Sequence, residues 1–136
     1  LVEYGLHRVL FHKRPQNGFE RKLHFLAHGI HHKDPWDGTR LVFPILAGVA
    51  IALVLFGLLR LALPLPLALA VMSGLLLGYL AYDMGHYAWH HMTFKAGWLK
   101  YLKRYHLAHH YQDMDSRFGV SVPLWDWIFG TGRVRT

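Results

Sequence analysis

The 136-residue chain contains no cysteine. No disulfide and no thiolate metal site can be built from it, so any metal site must rest on nitrogen and oxygen ligands. Acidic residues are scarce: eight Asp and Glu stand against fifteen Lys and Arg, for a formal net charge of +7. Charge of either sign is missing from residues 41–59, LVFPILAGVAIALVLFGLL, and from residues 65–82, LPLALAVMSGLLLGYLAY. Histidine is absent between His32 and His86. The zincin sequence HExxH is missing too, which sets aside a membrane zinc protease of that type. The first residue is Leu1 rather than Met, and no signal-peptide pattern follows it, so the natural N-terminus is expected to be missing. The length allows at most one ordinary domain.

What is present is strongly apolar, with 53% hydrophobic residues and a mean hydropathy of +0.16. At about 1.5 Å rise per residue, each uncharged run makes a helix of roughly 27–29 Å, close to the hydrocarbon thickness of a bilayer. Arg60, Pro64 and Pro66 break the chain between them. A buried hairpin of a soluble protein would be expected to keep one polar face, and neither run has one. Gly74 and Gly78 form a GxxxG that permits close helix packing. Of the basic residues, seven lie in 1–40, seven in 83–136 and only Arg60 lies between the runs. By the positive-inside rule both flanks are cytoplasmic. The basic balance then reads as membrane topology and headgroup contact, not nucleic-acid binding. The expected fold is an all-α integral membrane helical hairpin, with transmembrane helices at about 41–59 and 65–82. Its cytoplasmic flanks, 1–40 and 83–136, carry the histidines.

The N-terminal flank holds His7, His12, His24, His28, His31 and His32, and the C-terminal flank holds His86, His90, His91, His106, His109 and His110. His28/His32, His86/His90 and His106/His110 are i,i+4 pairs, which on a helix project from one face and suit chelation of one ion. His31 and His109 sit one position off those faces. The five-residue step from His7 to His12 suits a helix end better than a continuous face. One HxxHH alone is often surface decoration, but here the clusters recur, all on one expected side of a membrane. Imidazole coordination suits iron, zinc, copper or nickel. Twelve imidazoles are too many for one ion and about right for two.

These stretches resemble the histidine boxes of the membrane fatty acid hydroxylase/sterol desaturase superfamily, of the types HxxxxH, HxxHH, HxxxHH and HxxHH. They stand as His7–His12, His28–His31–His32, His86–His90–His91 and His106–His109–His110. Within the superfamily the chain is most similar to the fatty acid 2-hydroxylases. The stretches that carry this likeness are EYGLHRVLFH (3–12), HFLAHGIHH (24–32), GYLAYDMGHYAWHH (78–91), LKRYHLAHHY (102–111) and FGVSVPLWDWIFGT (118–131).

The resemblance implies an O2-dependent monooxygenase with two iron ions at the cytoplasmic membrane face, which zinc can replace inertly in a purified protein. It carries over ten ligands, with His7, His12, His28, His32 and His109 on one ion and His31, His86, His90, His106 and His110 on the other. His24, one turn before His28, and His91, turned away from His90, fall outside the pattern. Together with Asp83 they are expected as outer groups around the ligands, and Asp113, Asp115 and Asp126 are further carboxylates of that kind. Trp98, Trp125 and Trp127 are expected in an interfacial aromatic belt. The implied reaction hydroxylates a lipid acyl chain, at C2 of a fatty acid or sphingolipid acyl group. Eukaryotic relatives of this branch carry a cytochrome b5 domain and upstream membrane helices, neither of which is in this sequence. The expected electron donor is therefore a cytochrome b5 or a ferredoxin supplied in trans. Two alternatives stay open: a sterol or carotenoid hydroxylase or desaturase of the same superfamily, and a non-enzymatic membrane protein binding metal or haem. A bis-histidine haem protein would place histidines inside membrane helices, and residues 41–82 contain none.

Overall fold

The computed structural model describes residues 1–41 and 45–133, apart from the side chain of Ala47. Every regular element among them is helical. Helix α1 (Val2–Gly5) runs straight into a π-helical turn, Leu6–Phe11. Helix α2 (Gly18–His24) runs into a second π-helical turn, Phe25–Gly29, and on into α3 (Ile30–Lys33). After α4 (Gly38–Leu41) come the long helices α5 (Ile45–Ala62) and α6 (Leu65–His91), then α7 (Gly97–Tyr111) and the short α8 (Leu124–Phe129).

Local chemistry accounts for the boundaries. Asn17 caps α2 by accepting the Glu20 amide at 2.8 Å, and Glu20 reaches back to the Gln16 amide at 2.8 Å, a close variant of the capping box. Pro64 is extended just before α6, and Pro66 lies in its first turn, where a missing N–H breaks no helical bond. Arg60 closes the α5–α6 connection by donating to the Leu63 carbonyl at 2.6 Å. Gly130, at φ +68°, ends α8 in the left-handed conformation that glycine adopts without strain.

Helices α5 and α6 are consecutive and pack on one another, yet they leave leucines exposed: Leu53 is 67%, Leu61 85% and Leu77 67% accessible. Only 11% of the apolar window of α6 is buried. A helix apolar on all sides belongs in a core or a bilayer, and this one is not in a core. Among the described residues α6 alone is long and apolar enough to cross a membrane; the apolar stretch Gly48–Ala62 of α5 is shorter. The expected first span, 41–59, includes Val42, Phe43 and Pro44, which lie outside the described residues. Helix α6 continues past the expected boundary at 82 to His91. At about 40 Å it exceeds a bilayer's roughly 30 Å core, so one rigid element joins the apolar band to the histidines at its C-terminal end.

The packed part of the flanks is small. Trp89 of α6, Leu102 of α7 and Val120 form its buried centre, with Tyr82 and Phe94 packed against it. The Trp89 indole N–H donates to the Val120 carbonyl at 3.1 Å. This ties α6 and α7 to the 112–123 connection, which wraps over the histidines.

Candidate metal centre

Both π-helical turns carry site residues. The His12 amide bonds the His7 carbonyl at 3.0 Å, an i→i+5 bond, so a five-residue step brings both rings to one side. His28 sits in the second π turn, and His31 and His32 follow on α3. Helix α6 supplies His86 and His90, and α7 supplies His106, His109 and His110 from the face that also buries Leu102 and Tyr105.

These ten side chains gather in two groups. His7, His12, His28, His32 and His109 form one; His31, His86, His90, His106 and His110 form the other; within each group the nearest ring nitrogens all lie within 4.8 Å of one another. The membership is that of the division implied by the resemblance. In the first group Nε2 of His7 lies 3.1 Å from that of His28 and 3.2 Å from that of His12. His32 and His28 are 2.9 Å apart, and His109 and His12 3.1 Å. In the second group the His31–His110, His90–His106 and His106–His110 separations are 3.1, 2.9 and 3.1 Å.

The donor set fits a metal ion in each group. Nitrogens bound at about 2.1 Å and at right angles would be about 3.0 Å apart, whereas a tetrahedral shell would separate them by about 3.4 Å. The short separations of 2.9–3.2 Å are of this order, as ligands converging on one ion require. His86 adds an independent sign: both its ring nitrogens are buried and have no hydrogen-bond partner among the described residues, an arrangement that is destabilising unless something else satisfies them.

Burial also holds the imidazoles in the neutral, ligating form. Desolvation, then neighbouring histidines, pushes His7, His28 and His106 well below the usual histidine range. The same causes lower His12 and His32 to about 2 and His31 to about 4, and they depress His110 strongly. His109 is lowered by burial, against the opposing pull of its bond to Ser116.

The outer contacts differ from expectation. His7 Nδ1 lies 2.6 Å from the Phe118 carbonyl, and His109 Nδ1 lies 2.6 Å from the Ser116 carbonyl. A carbonyl only accepts, so each Nδ1 carries the proton and each Nε2 lone pair faces the group. Backbone carbonyls thus occupy the places expected for carboxylates. Among the described residues Asp83, Asp113, Asp115 and Asp126 make no hydrogen bond to a clustered imidazole. Asp83 is partly buried on α6. Asp126 acts one bond further out, on the loop that presents the carbonyls; the only signal for that loop in the sequence was the stretch 118–131. His91 stacks on Tyr87 at 4.3 Å, outside both groups. His24 lines a cavity of about 460 Å³ that opens on His12, His28 and His32, with Phe25 and Met114 on its wall. Trp98 and Trp127 are exposed, at 53% and 57%, and Trp125 is partly buried.

Comparison with known proteins places these features in a lineage. The fatty acid hydroxylase family profile matches residues 1–131. The chain is 44% identical over 131 residues to a dihydroceramide fatty acyl 2-hydroxylase of Arabidopsis thaliana, covering 96% of this chain and 55% of that protein. It is 42% identical over 134 residues to the fatty acid 2-hydroxylase of Homo sapiens, covering 96% of this chain and 36% of that one. A solved structure of full-length scs7p, in which only the hydroxylase domain is visible, superposes with a TM-score of 0.86 at 41% identity, over 96% of this chain and 50% of that one. The chain therefore spans about half the length, or less, of these relatives.

Proposed function

The chain belongs to the fatty acid hydroxylase family, and from that premise we propose that it is the metal-binding part of a membrane di-iron oxygenase that hydroxylates C2 of a fatty acyl group. The observation that carries the proposal is the pair of five-imidazole groups with converging nitrogens. The ligands are His7, His12, His28, His32 and His109 for one ion, and His31, His86, His90, His106 and His110 for the other. Iron bound there supplies, with O2, the oxidising power to replace an unactivated C–H by C–OH. The balance is one C–H bond broken, one C–O bond formed, and the second oxygen atom leaving as water with two protons and two electrons. An electron-transfer unit such as a cytochrome b5 or a ferredoxin supplies the electrons.

The protein's own part is to hold and shield. His7 and His109 keep their Nε2 lone pairs inward through bonds to Phe118 and Ser116. The second group is wholly buried, whereas His12 and His32 of the first are partly accessible. Substrate and O2 therefore approach the first group, where the cavity beside Phe25 and Met114 suits an acyl chain. Helices α5 and α6 form a membrane hairpin with the histidine groups at the cytoplasmic face, so a lipid enters from the bilayer while its polar end stays among the headgroups. The test combines elemental analysis of the purified protein with mass spectrometry of lipids from cells with and without it. Two ions per chain and new 2-hydroxy acyl lipids are expected; a haem absorption band, fewer than two ions in folded protein, or unchanged lipids would overturn the reading.

A further inference from the structure

Residues 118–121 are held by two carboxylates from separate elements. Asp126, wholly buried, accepts the Phe118 amide at 2.9 Å on Oδ1 and the Gly119 amide at 2.7 Å on Oδ2. Glu3, on the helix that leads to His7, accepts the amides of Val120 and Ser121 at 2.6 and 2.9 Å. The fit leaves no slack at Gly119: an added Cβ would meet the Val122 carbonyl oxygen and come within 2.8 Å of Asp126 Oδ2. The same loop presents the two carbonyls that fix His7 and His109. Between those carbonyls Arg117 takes a left-handed φ of +59°, uncommon for a residue with a Cβ.

The buried carboxylate also ends a polarised chain. Thr131 Oγ1 donates to Asp126 Oδ1 at 2.7 Å. With its proton so used, Thr131 accepts from the Tyr4 hydroxyl at 2.9 Å, and Tyr4 accepts from the Arg8 guanidinium at 2.9 Å. Each donor faces the next acceptor, and such chains strengthen their members in a low-dielectric interior. Asp126 is thereby coupled to the element that carries His7.

The reach of this device is one-sided. Both imidazoles it orients belong to the first group. In the second group the Nδ1 atoms of His31, His86, His90, His106 and His110 have no partner in the loop or elsewhere among the described residues. We propose that Asp126, assisted by Glu3, is a positioning residue that sets the tautomer and aim of His7 and His109, and so governs one metal site of the two. The inference rests on the di-metal reading above. Asp126→Asn exchanges one accepting oxygen for an NH2 that cannot accept, so at least one of the three bonds is lost and two donors face each other.

The experiment uses purified zinc-loaded protein challenged with a chromogenic chelator. Wild type must first release two ions per chain; fewer than two would sink the di-metal reading itself. Asp126→Asn is expected to release one ion about 10–100-fold faster and the other at the wild-type rate, in keeping with the usual effect of outer-contact loss. Acceleration of both ions alike, or of neither, overturns the proposal. If Asp126→Asn does not elute as a monodisperse helical protein, Glu3→Ala, which removes the oxygen that accepts both the Val120 and Ser121 amides, carries the test, with the same one-ion pattern expected and the same results against it. A second readout is solvent exchange of the imidazole N–H protons by NMR in the zinc-loaded protein. The His7 and His109 protons should exchange faster in the variant while those of other histidines do not; unchanged exchange at both would also overturn it.

Discussion

His90 and His106, on different helices, hold their Nε2 atoms 2.9 Å apart, while His91, the next residue after His90, stacks on Tyr87 and faces neither group. Adjacent histidines of one motif thus have opposite surroundings. His106→Ala should remove a ligand that no nearby side chain replaces, since the ring is 1% exposed among other histidines. Metal content should fall from two ions toward one, and hydroxylation should be abolished. His91→Ala should keep close to two ions and lose activity modestly. Elemental analysis and product assay of both variants check the ordering; equal damage would show that the ligand assignment is wrong.

The depressed histidines predict a pH dependence for metal-stripped protein. His12, His31 and His32 have folded values of about 2, 4 and 2 because of burial and neighbouring histidines. The unfolded chain titrates near 6.5, so below that pH it binds protons that the folded chain refuses. Stability is therefore full above about pH 6.5 and is lost as pH falls toward the folded values. Thermal unfolding of the stripped protein should show a midpoint that is flat above that point and declines below it. Bound metal should make the decline steeper, because ligand protonation then also releases the ion. A midpoint that rises on acidification would contradict the buried neutral clusters.

Trp89 is 5% exposed and joins α6 to α7 and to Val120. Trp89→Ala should destabilise the flanks by about 3–5 kcal/mol, the range for a large aromatic removed from a core. Trp89→Phe keeps most of the apolar volume and loses the indole bond to the Val120 carbonyl, so it should cost about 1–2 kcal/mol. Denaturant titration in detergent, followed by the remaining tryptophans, compares them. Equal effects would mean that the hydrogen bond, not the packing, dominates there.

The groups were legible in the sequence where an i,i+4 step on an α-helix brings two rings to one face, as for His106 and His110, whose Nε2 atoms are 3.1 Å apart. The His7–His12 step was legible only as a pair, because nothing in LHRVLF announces the π-helical turn that aligns them. The carbonyl contacts from Ser116 and Phe118 were not legible at all. A backbone acceptor leaves no residue type to read, and the carboxylate behind it, Asp126, acts through amides rather than on an imidazole. Apolarity alone located α6, but its continuation to His91 depended on helical order carrying through Asp83 and Gly85.

Membrane disposition gives the last prediction. Seven basic residues precede the apolar helices and seven follow residue 82, with Arg60 alone between the runs. By the positive-inside rule the prediction is that both flanks are cytoplasmic and the α5–α6 connection lies on the far side. The chain has no cysteine of its own, so single introduced thiols report without background. Ala62→Cys, at the end of α5, should react with an impermeant maleimide added outside intact cells. Gln16→Cys, on the exposed turn before α2, should react only after the membrane is opened. An inverted pattern would put the histidine groups on the outer face. Labelling of both positions from the cytoplasmic side would mean that α5 and α6 dip into the bilayer without crossing it. The lipid would then have to reach the first group from one leaflet alone, with α6 lying in that leaflet as a floor rather than standing as a wall.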